Sequence, residues 1–373
     1  MRVGIGTTVL ERALATSGHV DGIGTYTEEL LRYLPADGVA TCPLAFLDAP
    51  AAAGSTALAG SFKTNVLRSA VTPLSFAGTA ELSRKIDVFH ATDHYIPKLS
   101  GIPLVATLMD PVPLMRSDWV TVKRRWLKNW LFKRSASWAD HYITISDYVV
   151  GDLVEHFGIP QERITPIHLG VDQRYFGRID EARKQEVLAR LGLRPGFLLF
   201  VGTLQPRKNV GRVIDAYESL PAELQKAAPL VVAGRHGWAA EAEVERLKAI
   251  QARGAGHWLD YVTDEEKQVL LQSASALVFP SLYEGFGLPV LEAFASGLPV
   301  ITSTVTSLPE VAGDAALLVD PQRPDEIADA ISRVLQDTTL ASALSERGLA
   351  RAKTFTWAQT AQRTAAVYRQ LAG

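Results

Sequence analysis

Two glutamates lie eight positions apart in the stretch SLYEGFGLPVLEA, residues 281–293. Gly285, Gly287 and Pro289 lie between Glu284 and Glu292, which predicts a tight bend followed by a helix. Glu284 is expected on the bend and Glu292 near the end of the first helical turn. Unpaired amides at a helix N-terminus suit a phosphate, whereas carboxylates suit the hydroxyl groups of a sugar. The stretch therefore predicts a nucleotide-sugar site, with a plain helix cap as the alternative.

Positive charge for a phosphate is available in the same half of the chain. Arg207 and Lys208 follow the predicted strand Phe197–Val201 and Gly202. An arginine can bind a diphosphate through two hydrogen bonds, and a lysine acts as a point charge. A solvated basic turn is the alternative, but the nearby glutamate motif favours the diphosphate.

A second glycine pair, Gly22 and Gly24, predicts a loop before a helix that begins near Thr25. Backbone amides there are expected to approach the same diphosphate from the first half of the chain. No two aspartates stand two positions apart, so the sequence has no Asp-x-Asp clamp for a metal. The leaving diphosphate must then be stabilised by arginine, lysine and helix amides, without a metal.

Composition limits the class of protein. The chain has 373 residues, more than the roughly 250–300 at which single domains stop growing. A net charge of −2 gives no indication of nucleic-acid binding, and the single Cys42 excludes an internal disulfide. The N-terminus is typical of a strand and not of a signal peptide, and no apolar stretch is long enough to span a membrane. We therefore expect a cytoplasmic enzyme, with contact at the inner face of the cell membrane left open.

Short apolar runs alternate with amphipathic stretches, which predicts βαβ units and parallel sheets covered by helices. The predicted strands are Arg2–Gly6, Val88–His90, Leu104–Leu108, His141–Ile145, Ile164–Ile167, Phe197–Val201, Leu230–Ala233, Ala276–Phe279, Val300–Thr302 and Ala316–Val319. The predicted helices include Thr25–Leu34, Gly211–Ser219, Glu241–Gln251, Glu265–Gln272 and Pro324–Gln336. The pattern restarts after Asp172, which predicts two Rossmann-like α/β domains, 1–175 and 176–355, facing each other across a cleft. Residues 356–373 are expected to form a C-terminal helix that packs back on the first domain.

The stretch from Phe197 to Pro321 resembles the C-terminal domain of retaining glycosyltransferases of family 4, which have the GT-B fold. The matching segments are Gly202 with Arg207-Lys208-Asn209, Val232-Ala233-Gly234, Pro280-Ser281, Glu284 to Pro289, Glu292-Ala293, Gly297 to Val300 and Leu308 to Gly313. Weaker similarity covers the first domain. The phrases GTLQPRKN and AGRHGW resemble bacterial mannosyltransferases of this family, which use GDP-mannose and build surface polysaccharides.

The resemblance implies a role for each motif. Glu284 would bind hydroxyls of the donor sugar, and Glu292 those of the ribose. Arg207 and Lys208 would hold the diphosphate. The remaining donor contacts would come from Gly22, Gly24, Gly202, Gly285, Phe286, Gly287 and Leu288. The family retains the anomeric configuration, and the leaving phosphate is thought to take the proton of the acceptor.

The chain departs from the family pattern in the first domain. Many relatives have a His-Asp pair that faces the donor sugar, but this chain has Met109 followed by Asp110. Methionine cannot donate a hydrogen bond, so we expect Asp110 and His94 to serve the sugar or acceptor side, with His90 as another candidate. In the second domain Thr203 replaces a frequent arginine, which leaves more of the phosphate to Arg207.

The expected activity is metal-independent, retaining transfer of a hexose, mannose from GDP-mannose, to a glycan or lipid-linked acceptor in surface polysaccharide biosynthesis. The nucleotide sugar is a substrate, and no separate cofactor is expected. One alternative is a transferase that uses UDP-glucose or UDP-N-acetylglucosamine. Another is a nucleotide-sugar-binding protein without turnover, which Met109 favours and the intact glutamate and basic residues oppose. A sugar-nucleotide epimerase shares the fold, but the glutamate motif favours transfer.

The segment 119–138 is rich in tryptophan and basic residues and has no acidic residue. Its tryptophans are Trp119, Trp126, Trp130 and Trp138, and its basic residues are Lys123, Arg124, Arg125, Lys128, Lys133 and Arg134. Helical spacing places Trp126 and Trp130 on one side, with Arg124, Arg125 and Lys128 on the other. This profile is typical of a helix that contacts an anionic membrane. A core-packed helix with a solvated basic face is the alternative.

Overall fold

The structure, a computed structural model, describes residues 1–16, 22–47, 51, 54–116, 119 and 125–373. The chain divides into two compact units. Unit 1 comprises Met1–Ser117, Val122–Gly170 and Thr356–Gly373, and unit 2 comprises Asp118–Thr121 and Val171–Phe355. The C-terminal residues therefore belong to the same unit as the N-terminus.

Unit 1 is built on a parallel sheet of seven strands. The strands are β1 (Arg2–Gly6), β2 (Ala40–Ala45), β3 (Thr56–Ala57), β4 (Val88–Ala91), β5 (Leu104–Thr107), β6 (His141–Thr144) and β7 (Ile164–Pro166). Their order is β3-β2-β1-β4-β5-β6-β7, so the direction of strand addition reverses between β1 and β4. The helices are α1 (Thr8–Thr16), α2 (Gly22–Tyr33), α3 (Phe62–Val71), α4 (Thr79–Leu82), α5 (Val112–Met115), α6 (Arg125–Ala136), α7 (Asp147–Phe157) and α17 (Trp357–Ala372).

The central strands of unit 1 are buried along their whole length, as expected for a parallel sheet with both faces covered. Helix α17 closes part of this core. The hydroxyl of its Tyr368 lies 2.6 Å from His90 Nδ1, and the other ring nitrogen of His90 lies 2.7 Å from the hydroxyl of Thr107. The C-terminal helix is thus joined to β4 and β5 by polar contacts inside an apolar core.

Unit 2 is built on a parallel sheet of six strands. The strands are β8 (Leu198–Val201), β9 (Leu230–Ala233), β10 (Gly256–Leu259), β11 (Ala276–Phe279), β12 (Val300–Ser303) and β13 (Leu317–Val319). Their order is β10-β9-β8-β11-β12-β13, which reverses between β8 and β11. The helices are α8 (Glu181–Arg190), α9 (Val210–Ser219), α10 (Ala222–Ala227), α11 (Glu241–Ala252), α12 (Asp264–Ser273), α13 (Leu288–Ala295), α14 (Leu308–Ala312), α15 (Pro324–Gln336) and α16 (Thr338–Ala352).

The two parallel sheets confirm the predicted α/β class. The strands β2, β3 and β10 were not predicted from the sequence, and all three lie outside the buried centres of their sheets. β2 is half-buried and contains Pro43, β3 has two residues, and β10 is half-buried over most of its length. None of them has the long apolar run that marks a central strand. No helix in the described part of the chain is long and apolar enough to cross a bilayer.

Candidate functional site

Unit 2 brings its predicted functional residues to one edge of the sheet. Arg207 and Lys208 form a 3₁₀ turn after β8, and Glu284 lies in the loop after β11. These strands are hydrogen-bonded neighbours, and they are parallel, so their carboxyl ends lie at the same edge. They also flank the point at which the strand order reverses. Open α/β sheets bind ligands in the crevice at such a point.

Glu284 is the centre of this cluster. One carboxylate oxygen lies 2.6 Å from Lys208 Nζ, and the other lies 3.1 Å from a guanidinium nitrogen of Arg207. The same nitrogen of Arg207 donates to the backbone carbonyl of Tyr283 at 3.1 Å. Glu284 is 6% exposed. The structure therefore joins the predicted sugar-binding carboxylate to the predicted phosphate-binding cations.

The charge state of Glu284 follows from two opposing effects. Burial raises the pKa of this carboxyl group, because the charged form loses its hydration. The positive charges of Lys208 and Arg207 outweigh burial and hold the pKa of Glu284 below its usual range. Glu284 is therefore ionised at neutral pH and can accept hydrogen bonds from hydroxyl groups.

The loop that carries Glu284 is held by hydrogen bonds to its backbone carbonyls and by the conformation of one glycine. The hydroxyl of Ser307 donates to the carbonyls of Glu284 and Phe286 at 2.9 and 2.8 Å. Gly287 has φ 122°, a conformation that side chains rarely adopt, and an added Cβ would lie 2.8 Å from Leu308 Cδ2. This position requires glycine, and the bend that it forms leads into α13.

Helix α13 begins at Leu288, with Gly285, Phe286 and Gly287 before it. The first amides of this helix are the predicted anion site. Gly202 directly follows β8, the strand that pairs with β11. Sequence analysis placed Glu292 near the end of the first turn of this helix. The structure places it at the fifth residue, in the second turn, because the helix begins one residue before Pro289.

Glu292 has two partners that sequence analysis missed. Its carboxylate lies 2.8 Å from Lys267 Nζ on α12. The Tyr175 hydroxyl is hydrogen-bonded to Glu292, and burial followed by the charge of Glu292 raises the pKa of this tyrosine well above its usual range. Lys267 Nζ also lies 5.2 Å from the centre of the Tyr175 ring. Tyr175, whose hydroxyl remains protonated, and Lys267 together hold Glu292 in place.

The glycine pair of unit 1 differs from its prediction. Gly22 and Gly24 were expected in a loop before a helix, but both lie in the first turn of α2, which begins at Gly22. Gly24 is buried and Gly22 is exposed.

The residues predicted for the sugar or acceptor side all lie in unit 1. Asp110 follows β5 and accepts the amide of Val112 at 3.0 Å, beside the half-buried Met109. His94 is exposed and its ring lies 4.4 Å from that of Tyr95. His90 is fully buried, and burial lowers its pKa to about 3. His90 is therefore a neutral core residue and does not replace the missing histidine.

Asp93 is a further residue that sequence analysis missed. It follows β4 at the point where the strand order of unit 1 reverses, and it accepts the amides of Val9 and Tyr95 at 3.1 and 2.7 Å. Burial raises the pKa of Asp93, and the nearby His94 opposes this effect. Its place directly after a predicted strand was the only signal in the sequence.

The ionised glutamate and its two cations lie at the switch point of a Rossmann-like sheet, the place at which open α/β sheets bind their ligands. The family described as "Glycosyl transferases group 1" matches residues 183–351, and "Glycosyltransferase Family 4" matches residues 20–175. A glycogen synthase of Mycobacterium tuberculosis is 30% identical over 76% of this chain and 68% of its own length. The chain belongs to glycosyltransferase family 4.

Several curated relatives are bacterial mannosyltransferases. The O-antigen chain mannosyltransferase B of Escherichia coli is 38% identical over 61% of this chain and 60% of its own length. The MMP alpha-(1->4)-mannosyltransferase of Mycolicibacterium hassiacum is 31% identical over 72% of this chain and 65% of its own length. The serotype-specific mannosyltransferase WbdA of E. coli is matched over only 28% of its length. These matches span less than two thirds of each relative.

Solved structures match the whole chain. The sucrose-phosphate synthase of Thermosynechococcus elongatus has a TM-score of 0.75 at 20% identity and covers 100% of this chain and 99% of its own. HepE of Anabaena in complex with UDP and glucose has a TM-score of 0.74 at 16% identity and covers 100% of both chains. These similarities confirm a GT-B-like fold.

Proposed function

We propose that this chain is a metal-independent, retaining mannosyltransferase that takes mannose from GDP-mannose. The acceptor is a glycan or a lipid-linked glycan of a surface polysaccharide. The observation that carries the proposal is the ionised Glu284 between Arg207 and Lys208 at the carboxyl edge of the unit 2 sheet. The mannosyltransferase relatives support the choice of sugar.

In this proposal Arg207 and Lys208 hold the donor diphosphate. Two cations and one carboxylate leave a net charge of +1, which attracts an anion into the site. As the bond to mannose breaks, negative charge grows on the diphosphate, and charges that are already in place stabilise it without reorganisation. The amides of Gly285 to Leu288 at the start of α13 add fixed dipoles. Gly202 brings the backbone of the neighbouring strand to the same ligand.

Glu284 is assigned to the hydroxyls of the donor sugar and Glu292 to those of the ribose. Both carboxylates can accept hydrogen bonds, Glu284 from the loop before α13 and Glu292 from α13 itself. Glu284 is not assigned as a nucleophile, because a carboxylate paired with two cations at 2.6 and 3.1 Å is weakly nucleophilic. The leaving phosphate takes the proton of the acceptor hydroxyl, as the resemblance to the family implies. In unit 1, Gly22, Gly24, Asp110 and His94 are assigned to the diphosphate and acceptor side.

A UDP-sugar donor is the second candidate. The similar HepE structure contains UDP and glucose, and the diphosphate clamp of unit 2 does not distinguish one base from another. UDP-glucose and UDP-N-acetylglucosamine are therefore the competing donors. We place the reaction in the cytoplasm at the inner face of the membrane, where a lipid-linked acceptor is within reach of the segment 119–138.

A donor panel tests this function without knowledge of the acceptor. Purified protein is incubated with GDP-mannose, UDP-glucose or UDP-N-acetylglucosamine, with water as the acceptor. The melting temperature and the released nucleoside diphosphate are measured for each donor. We expect GDP-mannose to give the largest rise in melting temperature and slow release of GDP. Glu284→Gln keeps the size of the side chain, and we expect it to abolish release.

The panel also separates the alternatives. A larger thermal shift and faster release with a UDP-sugar would reject GDP-mannose as the donor. A rise in melting temperature without release of a nucleoside diphosphate from any donor would identify a non-catalytic binding protein.

A further inference from the structure

Helices α3 and α6 of unit 1 carry an unusual set of exposed apolar side chains. The residues and their exposed fractions are Val71 75%, Trp126 74%, Leu74 55%, Trp130 44% and Leu67 41%. Leu67 and Val71 lie on α3, Leu74 lies three residues after its end, and both tryptophans lie on α6. We call these five residues the α3–α6 surface. The sequence pattern indicated only the tryptophans as candidates for contact with a membrane. It did not indicate the aliphatic residues on and after α3.

The two helices present these residues together. Leu67 and Val71 are four residues apart on α3, so they share one face. Trp126, Trp130 and Arg134 repeat the same spacing on α6. Arg134 Nε donates to the carbonyl of Ala70 at 3.3 Å, which joins the tryptophan face of α6 to the end of α3 beside Val71. Helices α3 and α6 pack against each other, so their exposed apolar side chains belong to the same part of the surface of unit 1.

The other two tryptophans of segment 119–138, Trp119 and Trp138, pack differently. Trp119 is 6% exposed. The ring of Trp138 lies 5.9 Å from that of Phe76 in the core of unit 1. The core-packed interpretation is thus right for these two tryptophans and wrong for Trp126 and Trp130. Residue Arg124 and its neighbours 120–123 lie outside the described residues, so the predicted basic face is seen only from Arg125 onward.

Basic residues surround the α3–α6 surface. Lys63, Arg68, Lys133 and Arg134 are exposed on the same two helices, whereas the exposed Lys128 lies on the opposite side of α6 from Trp126. The sequence has no acidic residue in 61–80 or 125–139. Arg68 donates to the carbonyl of Ser75, and Arg134 donates to the carbonyl of Ala70. These hydrogen bonds orient the two guanidinium groups and do not neutralise their charge. The surface is apolar at its centre and positive around it.

We propose that the α3–α6 surface docks on an anionic lipid bilayer. Tryptophan is favoured at the boundary between headgroups and acyl chains, and lysine or arginine beside it binds anionic headgroups. A second copy of this chain is a poorer occupant, because two positive surfaces would repel each other. Bilayer binding is independent of the donor chemistry, but it would bring the enzyme to the lipid-linked acceptor of the proposed function.

Vesicle co-sedimentation tests the proposal on the full chain. The probes are vesicles of phosphatidylglycerol with phosphatidylcholine, and of phosphatidylcholine alone. We expect binding to the anionic vesicles at low salt, release at high salt, and a blue shift of tryptophan fluorescence on binding. Lys63→Glu with Lys133→Glu should weaken binding about 25-fold or more, because each basic residue strengthens it about fivefold. Trp126→Ala with Trp130→Ala should remove the blue shift.

Matched controls use exposed residues of unit 2. Lys226→Glu with Lys353→Glu makes the same change in net charge, and Leu318→Ala removes an exposed apolar side chain. Both controls should bind vesicles as the wild type does, and every variant should release GDP from GDP-mannose at the wild-type rate. Absence of binding to anionic vesicles would overturn the proposal. Equal weakening by the controls would also overturn it, as would a dimer in solution that Trp126→Ala with Trp130→Ala dissociates.

Discussion

At the residue scale, the cluster of Glu284, Arg207 and Lys208 carries the proposed chemistry. Its members are 76 and 77 residues apart in sequence but meet at distances of 2.6 and 3.1 Å. The two cations offset the charge of the buried carboxylate. In the proposed function the same cations face the donor diphosphate, and Glu284 faces the sugar hydroxyls. One cluster would thus contribute to the stability of unit 2 and to the binding of the donor.

Lys208→Ala tests the phosphate clamp. We expect turnover of GDP-mannose to fall by at least about 10²-fold, because loss of one preorganised charge stabiliser costs about 2.7–4 kcal/mol. Steady-state kinetics provide the measurement, with Lys226→Ala as a control for removal of an exposed lysine of unit 2. Turnover within a few-fold of the wild type would show that Lys208 does not stabilise the leaving group.

The two glutamates are predicted to differ in what they bind. Glu284→Ala should abolish transfer while GDP binds with near wild-type affinity, because the lost contact is to the sugar. Glu292→Ala should weaken GDP itself, because ribose is present in donor and product alike. Calorimetry with GDP measures both variants, and the opposite pattern would exchange the two roles.

Lys267 is predicted to act through Glu292. Lys267→Met keeps the length of the side chain but removes the charge that lies 2.8 Å from the carboxylate. GDP affinity should fall for this variant, while affinity for 2′-deoxy-GDP should change much less. Lys248→Met removes an exposed lysine that is paired with Glu245 on α11, and should leave both affinities unchanged. Equal losses for the two nucleotides would argue against a ribose contact.

At the element scale, α17 completes unit 1 through the contact between Tyr368 and His90. Both residues are fully buried, and burial favours the neutral imidazole of His90 over the charged form. The helix begins with the Thr356 side chain accepting the amide of Gln359 at 3.2 Å. Gly170 packs against it so closely that an added Cβ would lie 2.2 Å from the Trp357 nitrogen.

The buried histidine predicts a pH dependence of stability. The pKa of His90 is about 3 in the folded protein and 6.5 for an ordinary histidine, so the unfolded chain binds a proton that the folded chain does not. The free energy of unfolding should therefore fall as the pH falls from 6.5 toward 3, by up to about 1.4 kcal/mol per pH unit from this group. Urea unfolding of the wild type and His90→Asn at pH 7, 6 and 5 measures it. Equal slopes for both proteins would contradict the prediction.

Sequence patterns predicted some elements well and others poorly, for physical reasons. The central strands β4 to β6, β9 and β11 consist mostly of apolar, aromatic or β-branched residues, and their predicted bounds are within one residue of the structure. The Glu284 motif was visible because its residues are adjacent in sequence. The contacts of Lys267 with Glu292 and of His90 with Tyr368 join residues 25 and 278 positions apart, so only the fold reveals them. The exposed aliphatic part of the α3–α6 surface was missed for the same reason.

At the scale of the whole molecule, each unit presents a reversal of strand order with polar residues at the carboxyl ends of the flanking strands. In unit 2 these are the cations and Glu284, and in unit 1 Asp93 lies at the equivalent place. Family 4 membership and the GT-B-like fold agree with this arrangement. The donor, the acceptor and the roles of the individual side chains are proposals that depend on unit 2 binding a nucleotide sugar.

Proton NMR of GDP-mannose hydrolysis in excess EDTA tests the central claim most directly. Water replaces the unknown acceptor, and the anomer of mannose that forms first is observed before mutarotation. We predict α-mannose as the first product, formed at the same rate with EDTA as with added Mg²⁺ or Mn²⁺, and no product from Glu284→Gln. First release of β-mannose would contradict retention, and activity that EDTA abolishes and a divalent cation restores would contradict the metal-independent mechanism.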